Sequence, residues 1–508
     1  MNAKKLLCAL LALAVFAALA LFSCSAPGSG EKGISSEDPD PSENAAATET
    51  NREDTPDDLP AGLDFKGAEL RVLHRNGNNG YYADGDVFEL EVFAESETGD
   101  IINDSIYRRN KDVEERLNIK IKPVGIIDAS WDRAYDFFNH IKNSVAAGDD
   151  EFDIVLGYAA LIPGYAMQGL FLNVEDFPYI NIAQPWWSQN FRDEMSIGGR
   201  CYLLEGDYSL SLLARAMCIY YNKDYAQELS LENLYQTVLG GEWTFDKMGE
   251  ISRSAYKDLN GDGKPDKDDR FGTGISIGTY IDNLWFAFDQ PVTVMDSSGY
   301  PVIAANTAKM AEMVTKTYEF LYENQGVDAV VENLDSEMEL LNRFSAGSIL
   351  FLTSTLYKNE MLRAVETDYG ILPYPKWNKE QQRYMTGAQD NFSIIGIPAT
   401  CSNKELVGAA LEALAAESYR LVTPAYYETA LKTKYLRDEE SAQMLDIIRD
   451  GLSFNFGAYH TEYMGNLRLI YRFMMGEKKS DWVSSYEKSE NVYQSGLDKI
   501  IENYKNLE

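Results

Sequence analysis

A chain of 508 residues with 45% hydrophobic side chains is long enough for more than one core, which points to two domains or lobes. Its net charge of −34 excludes a nucleic-acid partner, whose capture needs lysine and arginine against phosphate, and equally a broad face on an anionic membrane. Five cysteines and three histidines exclude a disulfide scaffold, a zinc spacing and a histidine triad.

The chain opens with Lys4 and Lys5, an apolar run over residues 6–22, and then Leu21, Phe22, Ser23 and Cys24. That is the order of a secretory signal, and the run is shorter than the ~20 residues of a membrane span. Its end resembles a bacterial lipobox, which makes Cys24 the expected lipidation site after loss of residues 1–23. Phe22 is bulky for that motif, so ordinary cleavage nearby is the alternative. Residues 24–62 are acidic and rich in Pro, Gly, Ser, Ala and Thr. Such a stretch buries too little to offset its ordering entropy and is expected to be a disordered spacer between lipid and folded part. The protein is then extracytoplasmic and held at the bacterial cell membrane. With Cys8 in the signal, Cys201, Cys218 and Cys401 remain. They are expected as buried free thiols, with a Cys201–Cys218 bridge as the alternative.

Residues 70–74 alternate as a strand, Ile102, Ile106, Val113 and Leu117 mark a helix face, and residues 119–124 alternate again. Residues 137–147 read as a helix closed by Gly148, and 152–156 as a buried strand. This order predicts an α/β lobe with a largely parallel sheet. Beyond it, strands are expected at 217–221, 349–352, 369–372 and 392–397, and helices at 243–256, 308–324 and 406–421. Ser402 with Glu405 suggests a capping box for the last of these. Residues 485–507 should dock as a terminal helix.

The sharpest chemical motif is residues 258–269. Asp258, Asn260, Asp262 and Asp266 stand at loop positions 1, 3, 5 and 9, Gly263 at 6, and Asp269 at 12. Lys264 would add its carbonyl. Hard oxygens at that spacing suit calcium, so a structural Ca2+ is expected there, with no organic cofactor. An acidic loop of Asx turns without metal is the alternative.

Several segments carry a family resemblance: Val113 through Ile119, Ala147-Gly148-Asp149 with Phe152 through Val155, Gln168 through Val174, Tyr220-Tyr221-Asn222-Lys223 with Trp243 through Asp246, Phe344 through Gly347, and Ile371 through Pro375. In this order they resemble the family 1 extracellular solute-binding lipoproteins of bacterial ABC importers, which often serve carbohydrates. The resemblance implies an α/β, two-lobed fold like that of periplasmic binding proteins, with hinge-crossing strands and a ligand cleft. It implies lobe I over 63–178 plus about 386–420, and lobe II over 179–385 plus about 421–508. It also implies a non-enzymatic monomer that hands its solute to permease subunits. Secreted glycoside hydrolase and surface adhesion or sensor-partner lipoprotein are the competing classes, and a peptide or other solute is the competing ligand. Sugar binding needs flat rings and planar polar groups at strand ends. The candidates are Arg75, Asn76, Tyr158, Trp186, Trp187, Asp207, Tyr208, Trp285, Asp289, Ser354, Thr355, Gln389, Asp390 and Asn391.

Overall fold

The computed structural model describes residues 52–76, 85–127, 131–362, 365–432 and 439–507. Residues 1–51, with the signal, Cys24 and most of the spacer, lie outside them. Twelve strands are described: β1 (Ala68–Asn76), β2 (Ile119–Ile127), β3 (Ile154–Tyr158), β4 (Leu203–Leu204), β5 (Met217–Asn222), β6 (Phe271–Ile277), β7 (Thr293–Met295), β8 (Pro301–Ile303), β9 (Val327–Val331), β10 (Ile349–Thr355), β11 (Tyr369–Leu372) and β12 (Ser393–Gly396). Ten of them form two five-stranded sheets, and β7 and β8 form a separate hairpin.

The first sheet has the order β2-β1-β3-β12-β4. β1 runs parallel to β2 and β3, because helices Ile101–Leu117 and Trp131–Ala147 carry the chain back between them. Asp100 caps the first helix by accepting from the amides of Ile102 and Asn103, and Asn118 ends it in the left-handed conformation at φ 48°. Ile102, Ile106, Val113 and Leu117 are its buried face, as their spacing predicts. β12 and β4 extend the sheet antiparallel.

The second sheet has the order β11-β5-β10-β6-β9 and is mixed, with β10, β6 and β9 parallel and β5 antiparallel to both its neighbours. The chain passes from the first sheet to the second after β4, through helix Leu210–Arg215, and returns between β11 and β12. It leaves the first lobe again after helix Lys404–Glu417, through a π-helical turn at Ser418–Val422. Asn403, not Ser402, caps that helix, its side chain accepting from Leu406 N at 3.2 Å. Asparagine one residue nearer supplies the acceptor that the serine was expected to give.

The end of the chain packs on both lobes. Tyr504 donates to the Pro163 carbonyl of the first at 3.2 Å, while Trp482 stands edge-on to Trp285 of the second at 6.0 Å. The expected terminal helix is two helices, Trp482–Glu487 and Glu490–Lys505.

Residues 52–62, which composition assigns to the spacer, are instead laid on the first lobe. Leu59 is buried. Burial opposes the charge of Asp57, but Arg116 and Arg420 together hold its carboxyl down at about 2. The Asp58 carboxylate accepts from Asn181 and Gln184, and the Arg52 guanidinium lies 4.2 Å from the Tyr419 ring and 3.7 Å from Asp207. Partners far along the chain order this stretch, and composition alone does not see them. Cys201, Cys218 and Cys401 are buried free thiols. No helix among the described residues is long and apolar enough to cross a membrane.

Candidate functional site

In both sheets the parallel strands end at one cavity of about 600 Å³. Arg75 and Tyr158 come from the ends of β1 and β3 in the first sheet. Thr279 and Tyr280 follow β6, Glu332 and Asn333 follow β9, and Lys358 follows β10 in the second. Carboxyl ends of parallel strands converge on binding clefts because the chain turns there into loops and helix starts free to carry polar groups. Gln389, Asp390 and Asn391, on the returning crossing, form the floor, and Phe88, Tyr135 and Arg215 complete the first-lobe side.

A largely buried charge cluster adjoins the floor, and Arg468 and Arg472 of it also line the cavity. Arg468 Nη2 stands 2.5 Å from Asp390 Oδ2 and 3.6 Å from Asp282 Oδ2, and Arg472 Nε donates to Asp282 Oδ1 at 3.1 Å. Burial pushes the Asp282 carboxyl up, against the pull of both arginines. Burial also works against the Arg468 charge, yet Asp282 and Asp390 hold it above the ordinary arginine range. The same crossing ties into the first lobe, because the Ala160 amide donates to the Asp390 carbonyl at 3.0 Å and Arg75 Nη2 to the Asn391 carbonyl at 2.5 Å. Glu332 accepts from the Thr279 amide at 2.6 Å and from its hydroxyl, which fixes the start of helix Thr279–Ala287 at the cavity.

Five of the residues singled out from sequence line this cavity: Arg75, Tyr158, Gln389, Asp390 and Asn391. Asn76 closes β1 beside them. Ser354 lines a small void of about 20 Å³ next to Tyr280 and Lys358, and Thr355 is buried at the end of β10. The remaining candidates sit elsewhere. Trp186 and Trp187 are core residues of the first lobe, where Trp187 Nε1 donates to Glu412 Oε2 at 2.9 Å. Asp207 accepts from the Thr423 hydroxyl, and Tyr208 lies buried beneath the Arg109 guanidinium. Trp285 is 1% exposed and donates to the Arg468 carbonyl at 3.1 Å, so it backs the charge cluster. Asp289 is exposed just past helix Thr279–Ala287, at φ 51°.

Sequence reasoning passed over Phe88, Tyr135, Arg215, Tyr280, Glu332, Lys358, Arg468 and Arg472. One signal was available: Arg468 and Arg472 are four apart, the spacing that puts two cations on one helix face.

The aspartate-rich loop is wound on its own amides. Asp258 accepts from Gly261 and Gly263, at 2.6 and 2.8 Å, and Asp262 accepts from Lys264 at 2.8 Å. Asn260 Nδ2 donates to Asp266 at 3.0 Å, and Asp269 accepts from the Leu259 amide and the Tyr256 hydroxyl. The Leu259 amide leads in holding the Asp269 carboxyl below its ordinary value. Among the described residues no three His, Cys, Asp or Glu side chains converge as a metal cluster.

Residues 114–420 match the family model described as bacterial extracellular solute-binding protein. The chain belongs to this family. No curated protein matches it by sequence. Among solved structures, this solute-binding protein is similar to a cyclo/maltodextrin-binding protein complexed with maltotetraose, at 12% identity and a TM-score of 0.53, over 87% of this chain and 97% of the other. A sugar transporter of Rhizobium etli in an open conformation matches at 14% identity and 0.52, covering 86% and 99%. The GacH receptor of Streptomyces glaucescens, studied with acarbose, matches at 10% and 0.51, covering 87% and 98%. At these identities the likeness is one of fold, and it agrees with the α/β, two-sheet architecture. The family is one of binding proteins, not enzymes.

Proposed function

We propose that this solute-binding protein captures a sugar or oligosaccharide and delivers it to the permease subunits of an ABC importer, held at the membrane through a lipidated Cys24. What carries the reading is the cavity itself. It is walled by both lobes, carries the rings of Phe88, Tyr135, Tyr158 and Tyr280 for sugar faces, and has the amides of Gln389, Asn391, Asn333 and Asn466 for hydroxyls. The sugars named for the similar structures support it. Arg75, Tyr158, Gln389, Asp390 and Asn391 are the ligand-touching residues of this proposal. Binding would shift the population between open and closed lobes and break no bond.

A thermal-shift panel of oligosaccharides and peptides tests it. At least one saccharide should raise the melting temperature in a dose-dependent way. A panel in which only peptides do so, or in which a chromogenic glycoside is turned over, would overturn it.

Calcium at residues 258–269 is proposed as a staple for the loop entering β6, on the strength of the ligand spacing. Asp258, Asn260, Asp262, Asp266 and Asp269 would supply side-chain oxygens and Lys264 its carbonyl. Calcium chelation should then lower the melting temperature, and Asp262→Ala should abolish that sensitivity. A melting curve indifferent to chelator in the unsubstituted protein would sink the idea.

A further inference from the structure

The cleft has a small side branch in the second lobe. A void of about 20 Å³ lies between the face of the second sheet and helix Leu334–Ser345, and Tyr280, Glu337 and Lys358 line both it and the main cavity. Its position follows from the strands. Ser276 and Ser354 are the last residues but one of β6 and β10, at the carboxyl ends that meet the cleft. The parallel register sets Leu352 beside Gly274, so two residues further on it brings Ser354 beside Ser276. Gly274 shows which way this row faces, because a Cβ on it would lie 3.2 Å from Leu340 Cδ2 of that helix.

The lining is of two kinds. Leu340, Leu341 and Leu352 make an apolar side, and Ser276 and Ser354 a polar one. Ser276 is 1% exposed, and its hydroxyl has no hydrogen-bond partner among the described residues. A buried hydroxyl left unpaired costs free energy that an incoming partner recovers.

What fits such a space is small and has two natures. There is room for a water, a hydroxyl or a short arm, and none for a sugar ring. A hydroxymethyl arm has the matching parts: a methylene to lie against the leucines and a hydroxyl to reach Ser276. A bare ring hydroxyl would leave the apolar side without contacts, and a methyl group would leave Ser276 unpaired.

We propose that this side branch is the pocket for the hydroxymethyl arm of a hexose unit, with Ser276 Oγ as the partner of its hydroxyl and Leu340, Leu341 and Leu352 around its methylene. This rests on the saccharide reading above and narrows it to sugars that carry such an arm.

The test is calorimetric titration with matched sugars: glucose against xylose, D-galactose against L-arabinose, and cellotetraose against xylotetraose, with maltotetraose as a further hexose saccharide. Within each pair the ring and linkage are the same and only the hydroxymethyl arm differs. In a pair that binds, the hexose member should do so about tenfold or more tightly. Ser276→Ala should weaken the hexose saccharide that binds by about tenfold, while the melting temperature of the unliganded variant stays level or rises, since the hydroxyl it loses was unpaired. A hydroxyl that only holds a structural water would give the opposite pattern, a lower melting temperature with unchanged affinity. The matched pairs need no variant, so they keep the test open if Ser276→Ala fails to fold. A pentose member binding as tightly as its hexose partner, binding confined to saccharides without the arm, or hexose affinity indifferent to Ser276→Ala overturns the proposal and leaves the saccharide reading standing. Failure of every saccharide to bind overturns both.

Discussion

Replacing Arg468 with methionine should cost about 3–5 kcal/mol of stability, the usual penalty for stranding a buried charge. Its guanidinium is buried between Asp390, 2.5 Å away, and Asp282, 3.6 Å away. Methionine keeps much of the side-chain volume and leaves the backbone bonds in place, namely the carbonyl that accepts from Trp285 and the amide that donates to Thr461 Oγ1 at 2.9 Å. What it removes is the cation, leaving two carboxylates with only Arg472 between them. Denaturant unfolding followed by tryptophan fluorescence reads the loss directly. A drop under about 1 kcal/mol would show that the cluster is no more than a surface-like ion pair. Coupling is the finer check: Arg468→Met with Asp390→Leu should be less destabilised than the sum of the two single changes, because the stranded charge goes with its partner.

Glu412 sets a second expectation, with its sign fixed by burial. It sits in the apolar helix Lys404–Glu417, where Oε2 accepts from Trp187 Nε1 at 2.9 Å and from the Asn181 amide at 3.2 Å. Burial, opposed by those bonds, pushes its carboxyl up from 4.5 to about 7. The folded state therefore holds a proton that the unfolded chain has already lost between those values. Its contribution is fully present below about 4.5 and is lost as pH rises to about 7, a fall of about 3 kcal/mol. Glu412→Gln should melt close to the unsubstituted protein at pH ~5 and at a distinctly higher temperature at pH ~8. An equal effect of the substitution at both pH values would refute this account of the carboxyl.

Local pattern served the first lobe well. Helix Ile101–Leu117 was legible because its cap, its apolar stripe and its αL terminus all lie within the segment itself. β6 was not, because Gly272 and Gly274 after an aspartate-rich loop look like more loop. They are glycines for packing: a Cβ on Gly272 would lie 2.2 Å from Ser252 Cα, and one on Gly274 would lie 2.9 Å from the Ile349 side chain. Small residues that let neighbours approach are invisible without those neighbours. The cavity shows the same division. Arg75 and Tyr158 could be named because each ends a readable strand. Arg468 could not, since its meaning lies in Asp282 and Asp390, far away along the chain. Trp186, Trp187 and Trp285 are candidates by residue type, yet all three are buried: the first two pack the core of the first lobe and only Trp285 backs the site.

The segment that begins at Arg52 has a mechanical meaning. Arg52 meets Asp207 on the stretch joining β4 to β5 and Tyr419 on the π-helical turn, while Asp57 holds Arg420 of that same turn. These are two of the stretches by which the chain passes between its lobes. Under the proposed anchoring through Cys24, a pull along the chain would be applied at these crossings, where its lever arm on either lobe is short.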